Sequence, residues 1–391
     1  GMINQQTETL SSVDKFLNVA SQIRTQISSK AATHDEEASF PFENFEVIRD
    51  KGFHKLTVPQ EYGGLGFDIE QLVAIQQEIA KGDASTALVL GMHLSLIGRQ
   101  AESRDWEESF FEFICREVVE KGAIINSAAT EPQMGSPSRG GLPQTRAYKK
   151  NDGWVLSGRK SFVTGAPILD YFIVLAAIDD RRASFLVPRD SDGLSIEETW
   201  NTLGMRASGS HDLLLEEVFV PDEFLIIPKE SQVPANSGRV WSALTLSAIY
   251  LGIAKAAQEF IVDFCKNRIP SALGKPIAEL EHVQHALGEI AADIRIAEIM
   301  LETTAKRWTQ NIPIRDKISG DVALTKYTCT NCAVKVTDKA MRIAGGSALS
   351  KKLPLERYFR DARAGLYNPP ADHETLRMLG MESLGLATRL T

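Results

Sequence analysis

The spacing of apolar residues changes along the chain, and this change constrains the fold more than any other feature of the sequence. Within residues 11–122, apolar side chains recur at helical spacing, for example at Leu72, Ile75 and Ile79. Within residues 123–234, short apolar or alternating runs are separated by turn residues, and Asn151-Asp-Gly153 is a turn sequence of the kind that joins two strands in a hairpin. The first region is therefore predicted to be helical, and the second to form about seven short strands in a small barrel or sandwich.

The helical pattern returns from about residue 238, and its segments become longer. Val283, Leu287, Ile290 and Ile294 keep one face apolar over several turns. Long helices with such a stripe are typical of an antiparallel bundle. The sequence thus predicts helices, then a β unit, then a helical bundle, which suits a chain of 391 residues that exceeds one compact core.

Composition and charge exclude several classes of protein. The formal net charge is −8 and no strong basic stripe is present, which argues against a nucleic-acid partner. We expect no membrane-spanning run and no signal peptide, and hence a cytoplasmic protein. Cys329 and Cys332 form a lone Cys-x-x-Cys without a second ligand pair, so we expect no metal site.

Two segments carry the clearest chemical signal. In the first, a strand-like stretch gives way to a loop that contains Ser127, Thr130, Gly135 and Ser136. Such a loop presents backbone N–H groups and hydroxyls to a planar polar ligand, as the edge of an isoalloxazine ring requires. About thirty residues later, a second strand end carries Phe162 and Thr164. Either segment alone is also compatible with a surface turn, whereas the pair favours a flavin site.

Short motifs follow one another in a fixed order along most of the chain. They lie at residues 58–66, 81–87, 130–132 with Gly135 and Ser136, 162–164, 204–208, 273–277, 344–347 and 360–362. Together they resemble the acyl-CoA dehydrogenase family, from about Phe40 to the C-terminus. The resemblance is specific for the fold and less specific for the reaction.

The resemblance implies a mostly α protein with a central β-barrel. It also implies FAD, with FMN less favoured, bound in a homotetramer or a homodimer, and an acyl-CoA or another small molecule as substrate. We place the expected boundaries at 1–122 for an N-terminal helical domain, 123–235 for the β-barrel and 236–391 for a C-terminal four-helix bundle.

The resemblance also assigns residues to the adenine half of FAD, which in this family is contacted by a neighbouring subunit. Arg268 would pair with the pyrophosphate, since a guanidinium fork suits anionic oxygens. Gly345 and Gly346 would let the backbone approach the same region. Arg342 stands where the family usually has Gln, so it is either a cofactor contact or a solvent-facing helix residue.

The sequence departs from the family at the catalytic base. An acyl-CoA dehydrogenase removes the α-proton of a thioester with a carboxylate that is within hydrogen-bond reach. The usual Glu position falls on Pro369 or Pro370, and the other known position falls near Ser242. Asp372 is the expected replacement base, with Glu374 the second choice; Asp372 is also a good N-cap for the following helix, and this interpretation is the favoured one.

Two other functions remain open at this point. Flavin monooxygenases of the same superfamily also lack the Glu, and some use His or Tyr near the ring, for which His93 and Tyr367 are the candidates. His93 lies in an apolar helical context and is also interpreted as a core histidine. The third alternative is a non-catalytic flavin or acyl-CoA binding protein. An electron-transfer flavoprotein would be the partner of a dehydrogenase, and a flavin reductase the partner of a monooxygenase.

Overall fold

The computed structural model describes residues 2–133 and 141–386, with side chains from residue 13 onward. Gly135 and Ser136 therefore lie outside the described residues. The N-terminal region is helical, as predicted. Its helices are α1 (Met2–Ser28), α2 (Ala31–Glu37), α3 (Phe42–Asp50), α4 (Ile69–Gly82), α5 (Ala84–Ser103) and α6 (Glu108–Lys121).

Two aspartates, Asp68 and Asp83, cap the first turns of α4 and α5. Asp68 accepts a hydrogen bond from the backbone N–H of Gln71, whose side chain bonds back to Asp68 in a capping box that begins α4. Asp83 ends α4 in an extended conformation and accepts a bond from the Thr86 N–H (3.2 Å), which begins α5. The turn is therefore tight, and α4 and α5 pack against each other.

The middle region forms one eight-stranded sheet. The hairpin predicted at Asn151 is confirmed, since it joins β2 to β3 with Asn151 in the left-handed region. The strands are β1 (Ile125–Ala128), β2 (Arg146–Lys150), β3 (Gly153–Val163), β4 (Tyr171–Ile178), β5 (Arg181–Pro188), β6 (Leu194–Glu197), β7 (His211–Pro221) and β8 (Leu225–Ile226).

The strand order corrects the expectation of a closed barrel. The order is β6-β7-β3-β2-β4-β5-β8, and β1 pairs in parallel with β4. Among the described residues, β6 and β8 are the two edges and do not pair with each other. Both edge strands are short, four and two residues, so there is too little backbone at the edges to close the sheet by hydrogen bonding.

The described part of the C-terminal region, up to residue 386, contains the α-helices α7 (Ser237–Asn267), α8 (Glu281–Gln310), α9 (Ser319–Ala344), α10 (Leu355–Ala364) and α11 (Asp372–Ser383). The first turns of α7 and α9 lie side by side. The Asn236 side chain, just before α7, donates to the Arg315 carbonyl and to the Ser319 hydroxyl at 2.9 Å each. Since Gly365 also packs between Tyr250 and Thr330, farther along both helices, α7 and α9 run in the same direction.

The apolar core is continuous between the two helical regions. Helices α4 and α5 contribute to the same buried cluster as α7, α8 and α9, with Trp241, Tyr250 and Trp308 as its largest members. Helix α7 corrects one expectation, because it is long and apolar enough to cross a membrane. Its most apolar window is 89% buried inside the protein, so α7 is interpreted as a core helix.

Polar contacts join the sheet to the C-terminal helices at two of the sequence motifs. Asp361 accepts a hydrogen bond from the Met205 N–H (2.8 Å), and Arg360 donates to the Leu203 carbonyl (2.9 Å) and pairs with Asp35. Burial raises the pKa of Asp361 to about 7. A Cβ at Gly204 would lie 2.4 Å from the Arg360 carbonyl oxygen, so only glycine allows this approach.

Candidate active site

The structure brings together the two strand ends that the sequence analysis singled out. The Ser161 N–H donates to the Thr130 carbonyl (2.8 Å), and the Asn126 side chain donates to the Thr164 carbonyl (3.0 Å). The end of β1 and the end of β3 therefore form one polar shelf, defined by Ser127, Thr130, Phe162 and Thr164. The Ser127 side of this shelf is exposed.

Phe162 has an unusual conformation for an aromatic residue. Its φ is +54°, in the left-handed region, and 63% of it is exposed. Its ring contacts Trp200 edge-on, with centroids 6.1 Å apart. A left-handed conformation at a bulky residue costs on the order of 1 kcal/mol and is concentrated at functional sites. An exposed ring beside the exposed Ser127 and strand-end backbone fits a flat, partly polar cofactor such as a flavin.

A buried ion pair that the sequence analysis missed holds this shelf. Glu131 and Lys160 are almost fully buried, with Nζ 3.2 Å from Oε2. Glu131 also accepts bonds from the Gln144 and Thr145 N–H groups (2.7 and 2.9 Å). Although burial opposes it, these bonds and Lys160 hold the pKa of Glu131 below its usual value. Burial lowers the pKa of Lys160. The sequence did contain a signal for this pair, since the acid Glu131 lies in the first of the two segments and the base Lys160 lies at the second.

The residues assigned to the adenine half of FAD lie at the C-terminal ends of α7 and α9. Arg268 directly follows α7 and is exposed. Gly345 directly follows α9 with φ +68°, and the space that a Cβ would occupy at Gly345 or Gly346 is open to at least 4 Å. Arg342 is exposed and donates to Asp338 on its own helix (3.0 Å). A cofactor could approach the glycine backbone here.

A cavity of about 180 Å³ lies at the other end of α7 and α9. It contains all three positions at which the resemblance would place the base, Ser242, Pro369 and Pro370, and none of them carries a carboxylate. Glu374, in the first turn of α11, does line the cavity. The remaining lining residues are Asn236, Gly238, Arg239, Val240, Ala243, Ser319, Val322 and Ala323.

Asp372 is placed differently from Glu374 and is not among the cavity-lining residues. Its Oδ2 accepts a hydrogen bond from the Asn331 side chain (3.0 Å), and its buried Oδ1 has no hydrogen-bond partner in the described part of the chain. The expectation that Asp372 caps the following helix is wrong. Helix α11 begins at Asp372 itself, and Ala371, which makes no side-chain capping bond, occupies the N-cap position.

A second buried lysine, also missed by the sequence analysis, holds the loop that ends at Pro370. The Lys326 ammonium donates to the carbonyls of Gly365 (2.7 Å), Asn368 (2.6 Å) and Pro370 (3.2 Å). Burial lowers the pKa of Lys326 to about 8. Lys326 lies one helical turn from Val322, on the buried face of α9, and a lysine on an apolar stripe was the signal that could have identified it.

The two residues proposed for a monooxygenase site have very different environments. His93 is fully buried; its Nε2–H donates to the His54 carbonyl (2.7 Å), and its Nδ1 accepts from the Ile125 N–H (3.0 Å). Burial lowers the pKa of His93 to about 3. Both ring nitrogens are occupied, so the core-histidine interpretation explains His93 and a role at the flavin ring does not. Tyr367 is 80% exposed just beyond α10.

The cysteines have no metal-binding environment. Cys329 and Cys332 are buried in α9, and burial raises the pKa of Cys332 to about 12. Within residues 2–133 and 141–386, no cluster of three or more His, Cys, Asp or Glu side chains could hold a metal ion. The lone Cys-x-x-Cys therefore packs as part of the helix.

Three family models match the chain in sequence. They are described as the N-terminal, middle and C-terminal domains of acyl-CoA dehydrogenase, and they match residues 13–105, 126–218 and 244–368. A curated relative, the putative acyl-CoA dehydrogenase YdbM of Bacillus subtilis, is 40% identical over 94% of this chain and 96% of its own.

Solved structures with the same fold include two kinds of flavoprotein. KijD3, solved with FMN and a dTDP-linked amino-keto sugar, is 26% identical and has a TM-score of 0.82, covering 96% of this chain and 94% of its own. Butyryl-CoA dehydrogenase from Megasphaera elsdenii has a TM-score of 0.84 at 24% identity, covering 95% and 98%. At that identity the second likeness concerns the fold alone.

Proposed function

Because the chain belongs to the acyl-CoA dehydrogenase family, we propose that it is an FAD-dependent oxidoreductase that removes one hydrogen each from the α- and β-carbons of an acyl thioester. The observation that carries the proposal is the cavity at the start of α7 and α9. It contains the family's base positions without an acid, yet Glu374 is among its lining residues.

The polar shelf would hold the flavin ring. Ser127, Thr130 and Thr164 offer hydroxyls and strand-end backbone to its polar edge, and the exposed Phe162 ring offers a flat apolar surface. Gly135 and Ser136, outside the described residues, remain proposed contacts of the same loop. When bound, the flavin supplies a two-electron acceptor.

The adenine half of FAD would be held by a second subunit. Arg268, Gly345 and Gly346 lie at the far end of α7 and α9 from the cavity, and a helix of 31 residues such as α7 is about 45 Å long. A cofactor that reaches the cavity region of one subunit would therefore meet these residues from another. We propose a homodimer or a homotetramer on this basis, with Arg342 at the edge of the same site.

Glu374 is proposed as the base that accepts the α-proton of the thioester. Glu374 lies in the first turn of α11 and is among the residues that line the cavity, which places an acid next to the two prolines at the usual base position. Asp372 is the second choice, since one of its oxygens is held by Asn331 and the residue does not line the cavity. The electron acceptor would be an electron-transfer flavoprotein, and the proposed location is the cytoplasm.

The test is anaerobic mixing of the FAD-loaded protein with acyl-CoA thioesters of different chain length, followed by the flavin absorbance. We expect bleaching with at least one thioester. Glu374→Gln should slow it by about 10²–10⁴-fold, the usual contribution of a general base. Glu382→Gln, an acid-to-amide change farther along α11, is the matched control and should bleach at the wild-type rate.

Two results would contradict this assignment. If Asp372→Asn abolishes bleaching while Glu374→Gln leaves it unchanged, Asp372 is the base and Glu374 is not. If no thioester bleaches a bound flavin that dithionite does reduce, the protein is not an acyl-CoA dehydrogenase.

The second candidate is a reduced-flavin-dependent monooxygenase that acts on a small aromatic, sulfur or nitrogen compound. It is favoured by Pro369 and Pro370 in place of the acid, and by the 26% identity to KijD3, which was solved with FMN. Tyr367, exposed beside this loop, is its remaining side-chain candidate. Oxygen consumption with a flavin reductase and product formation from such a compound would establish this function; a flavin that turns over in neither assay would leave a non-catalytic binding protein.

A further inference from the structure

The loop between α10 and α11, residues 365–371, forms part of the wall of the cavity and leads directly into the helix that carries Glu374. We infer that Lys326 is the positioning residue that sets the path of this loop, and through it the placement of the cavity wall and of Glu374. The kinetic consequence rests on the proposed function; the structural consequence does not.

The contacts of Lys326 match what the loop lacks. Pro369 and Pro370 have no backbone N–H, so this stretch has few donors of its own for its carbonyl groups. Buried carbonyls without donors are costly. An ammonium has three N–H groups, and Lys326 directs them to three carbonyls of the loop, those of Gly365, Asn368 and Pro370.

The loop is also fixed from α7. The Tyr250 hydroxyl donates to the Asn368 side-chain oxygen (2.8 Å), and Tyr250 is fully buried. A Cβ at Gly365 would lie 3.0 Å from the Tyr250 ring and 2.9 Å from the Thr330 methyl group. The loop thus packs directly on α7 and α9, and Lys326 and Tyr250 hold it from two sides.

Lys326 itself is not among the residues that line the cavity, whereas Pro369 and Pro370 are. The ammonium instead bonds to three carbonyls of the loop that contains these prolines. The effect of Lys326 on the cavity is therefore inferred to pass through the loop. This is why it is a positioning residue and not a catalytic one.

The experiment compares Lys326→Met, Lys326→Arg and Tyr250→Phe with wild type. Lys255→Met is the matched control, because Lys255 is another partly buried bundle lysine, bonded to the Gln77 side chain (2.6 Å) and to Glu298 (2.8 Å) instead of a loop. Backbone hydrogen exchange of the flavin-loaded protein is measured first, since it needs no activity. In Lys326→Met, exchange in residues 366–375 should speed up by about tenfold or more, with the sheet unchanged.

The second measurement separates binding from chemistry with the thioester that bleaches the wild-type flavin. Lys326→Met should lower the limiting rate of flavin reduction by about tenfold or more, while the apparent dissociation constant changes less than about threefold, as expected when a reacting group is misplaced. Lys326→Arg keeps the charge and should recover part of the rate. Tyr250→Phe should act in the same direction with a smaller effect.

The inference is overturned if Lys326→Met leaves both loop exchange and reduction rate at the values of Lys255→Met. It is also overturned if exchange rises equally throughout the bundle, which would indicate a general loss of stability. If Lys326→Met does not fold, Tyr250→Phe decides by the same two measurements. If no thioester reduces the wild-type flavin, the proposed function fails, and loop exchange alone still confirms or refutes the positioning role.

Discussion

The polar shelf and the cavity loop each contain a buried lysine, and the two lysines have different hydrogen-bond partners. On the polar shelf, Lys160 pairs with the carboxylate of Glu131 at 3.2 Å. Behind the cavity loop, Lys326 donates to three backbone carbonyls, and Asp372 influences it only at longer range. Burial lowers the pKa of both lysines, to about 8 for Lys326.

The difference shows how each part of the site can respond to change. On the shelf, burial lowers the pKa of Lys160, and the carboxylate of Glu131 opposes this by favouring the charged form. Lys326 is held by backbone carbonyls, which stabilise its charged form less than a carboxylate would, and its pKa is about 8. The hydrogen bonds that hold the loop therefore depend on pH near 8. The polar shelf is thus held by a buried ion pair, and the cavity loop by a lysine bonded to backbone carbonyls.

The largest loss of stability is expected when the carboxylate of Glu131 is removed from the shelf. Glu131→Gln removes the counter-ion of buried Lys160 and replaces one accepting oxygen with an NH2 group that would face an N–H or ammonium donor, and we expect the free energy of unfolding to fall by about 3–5 kcal/mol. Urea denaturation measures it. Lys149→Met, which removes the exposed pair with Asp222, should cost no more than about 1 kcal/mol. Equal costs for the two variants would refute the claim that the buried pair holds the shelf.

The pH dependence of stability sharpens the comparison at Lys326. Its pKa is about 8 in the folded protein and about 10.4 when unfolded, so between these values the unfolded chain binds more protons. The free energy of unfolding of wild type minus that of Lys326→Met should therefore rise with pH in this window, by about 1.4 kcal/mol per pH unit. Denaturation at pH 7 and 9.5 measures it. A difference that stays constant, or falls, would show that Lys326 does not titrate there.

A smaller effect is expected from substituting Phe162, which has a strained backbone conformation. The substitution should affect the stability of the flavin-free protein and the affinity for flavin in opposite directions. Phe162→Gly relieves the left-handed backbone, so the flavin-free protein should lose little stability or gain up to about 1 kcal/mol. Flavin affinity should fall because the exposed ring is gone. Thermal unfolding and flavin titration measure the two. Unchanged flavin affinity would remove Phe162 from the proposed cofactor site.

The smallest effect on stability is expected for Arg342, whose side chain is exposed. Arg342 pairs with Asp338 one turn away, with most of the guanidinium in solvent, so Arg342→Gln should change stability by no more than about 0.5 kcal/mol. FAD affinity distinguishes the two interpretations of Arg342. A clear change in affinity would make it a cofactor contact, and no change would make it a solvent-facing residue.

Much of the fold could be predicted from local patterns. Apolar spacing indicated the helices before Gly122 and the long α8, and turn residues indicated the β2–β3 hairpin. The two strand ends could also be recognised in the sequence, since Thr130 comes shortly after β1 and Phe162 lies at the end of β3. These successes share one cause: periodicity and turn chemistry act over a few residues and are read directly from the sequence.

What could not be predicted depends on contacts between distant residues. Nothing local distinguishes an open sheet from a barrel, because closure depends on how the short β6 and β8 meet. Asp372 has the residue type of a helix cap, yet Asn331, 41 residues away, engages its carboxylate. The sequence made His93 a candidate at the flavin ring, but in the structure both of its ring nitrogens are hydrogen-bonded to the backbone of His54 and Ile125.

The sequence by itself determined the family, the order of helical and β regions, and the absence of an acid at the usual base positions. Only the tertiary structure decided which carboxylate lines the cavity, and which lysine supports each part of the site. The physical reason is that a buried charge is tolerable only where distant parts of the chain supply its partners. Glu131 lies 29 residues from Lys160, and the carbonyls that hold Lys326 lie 39 to 44 residues from it.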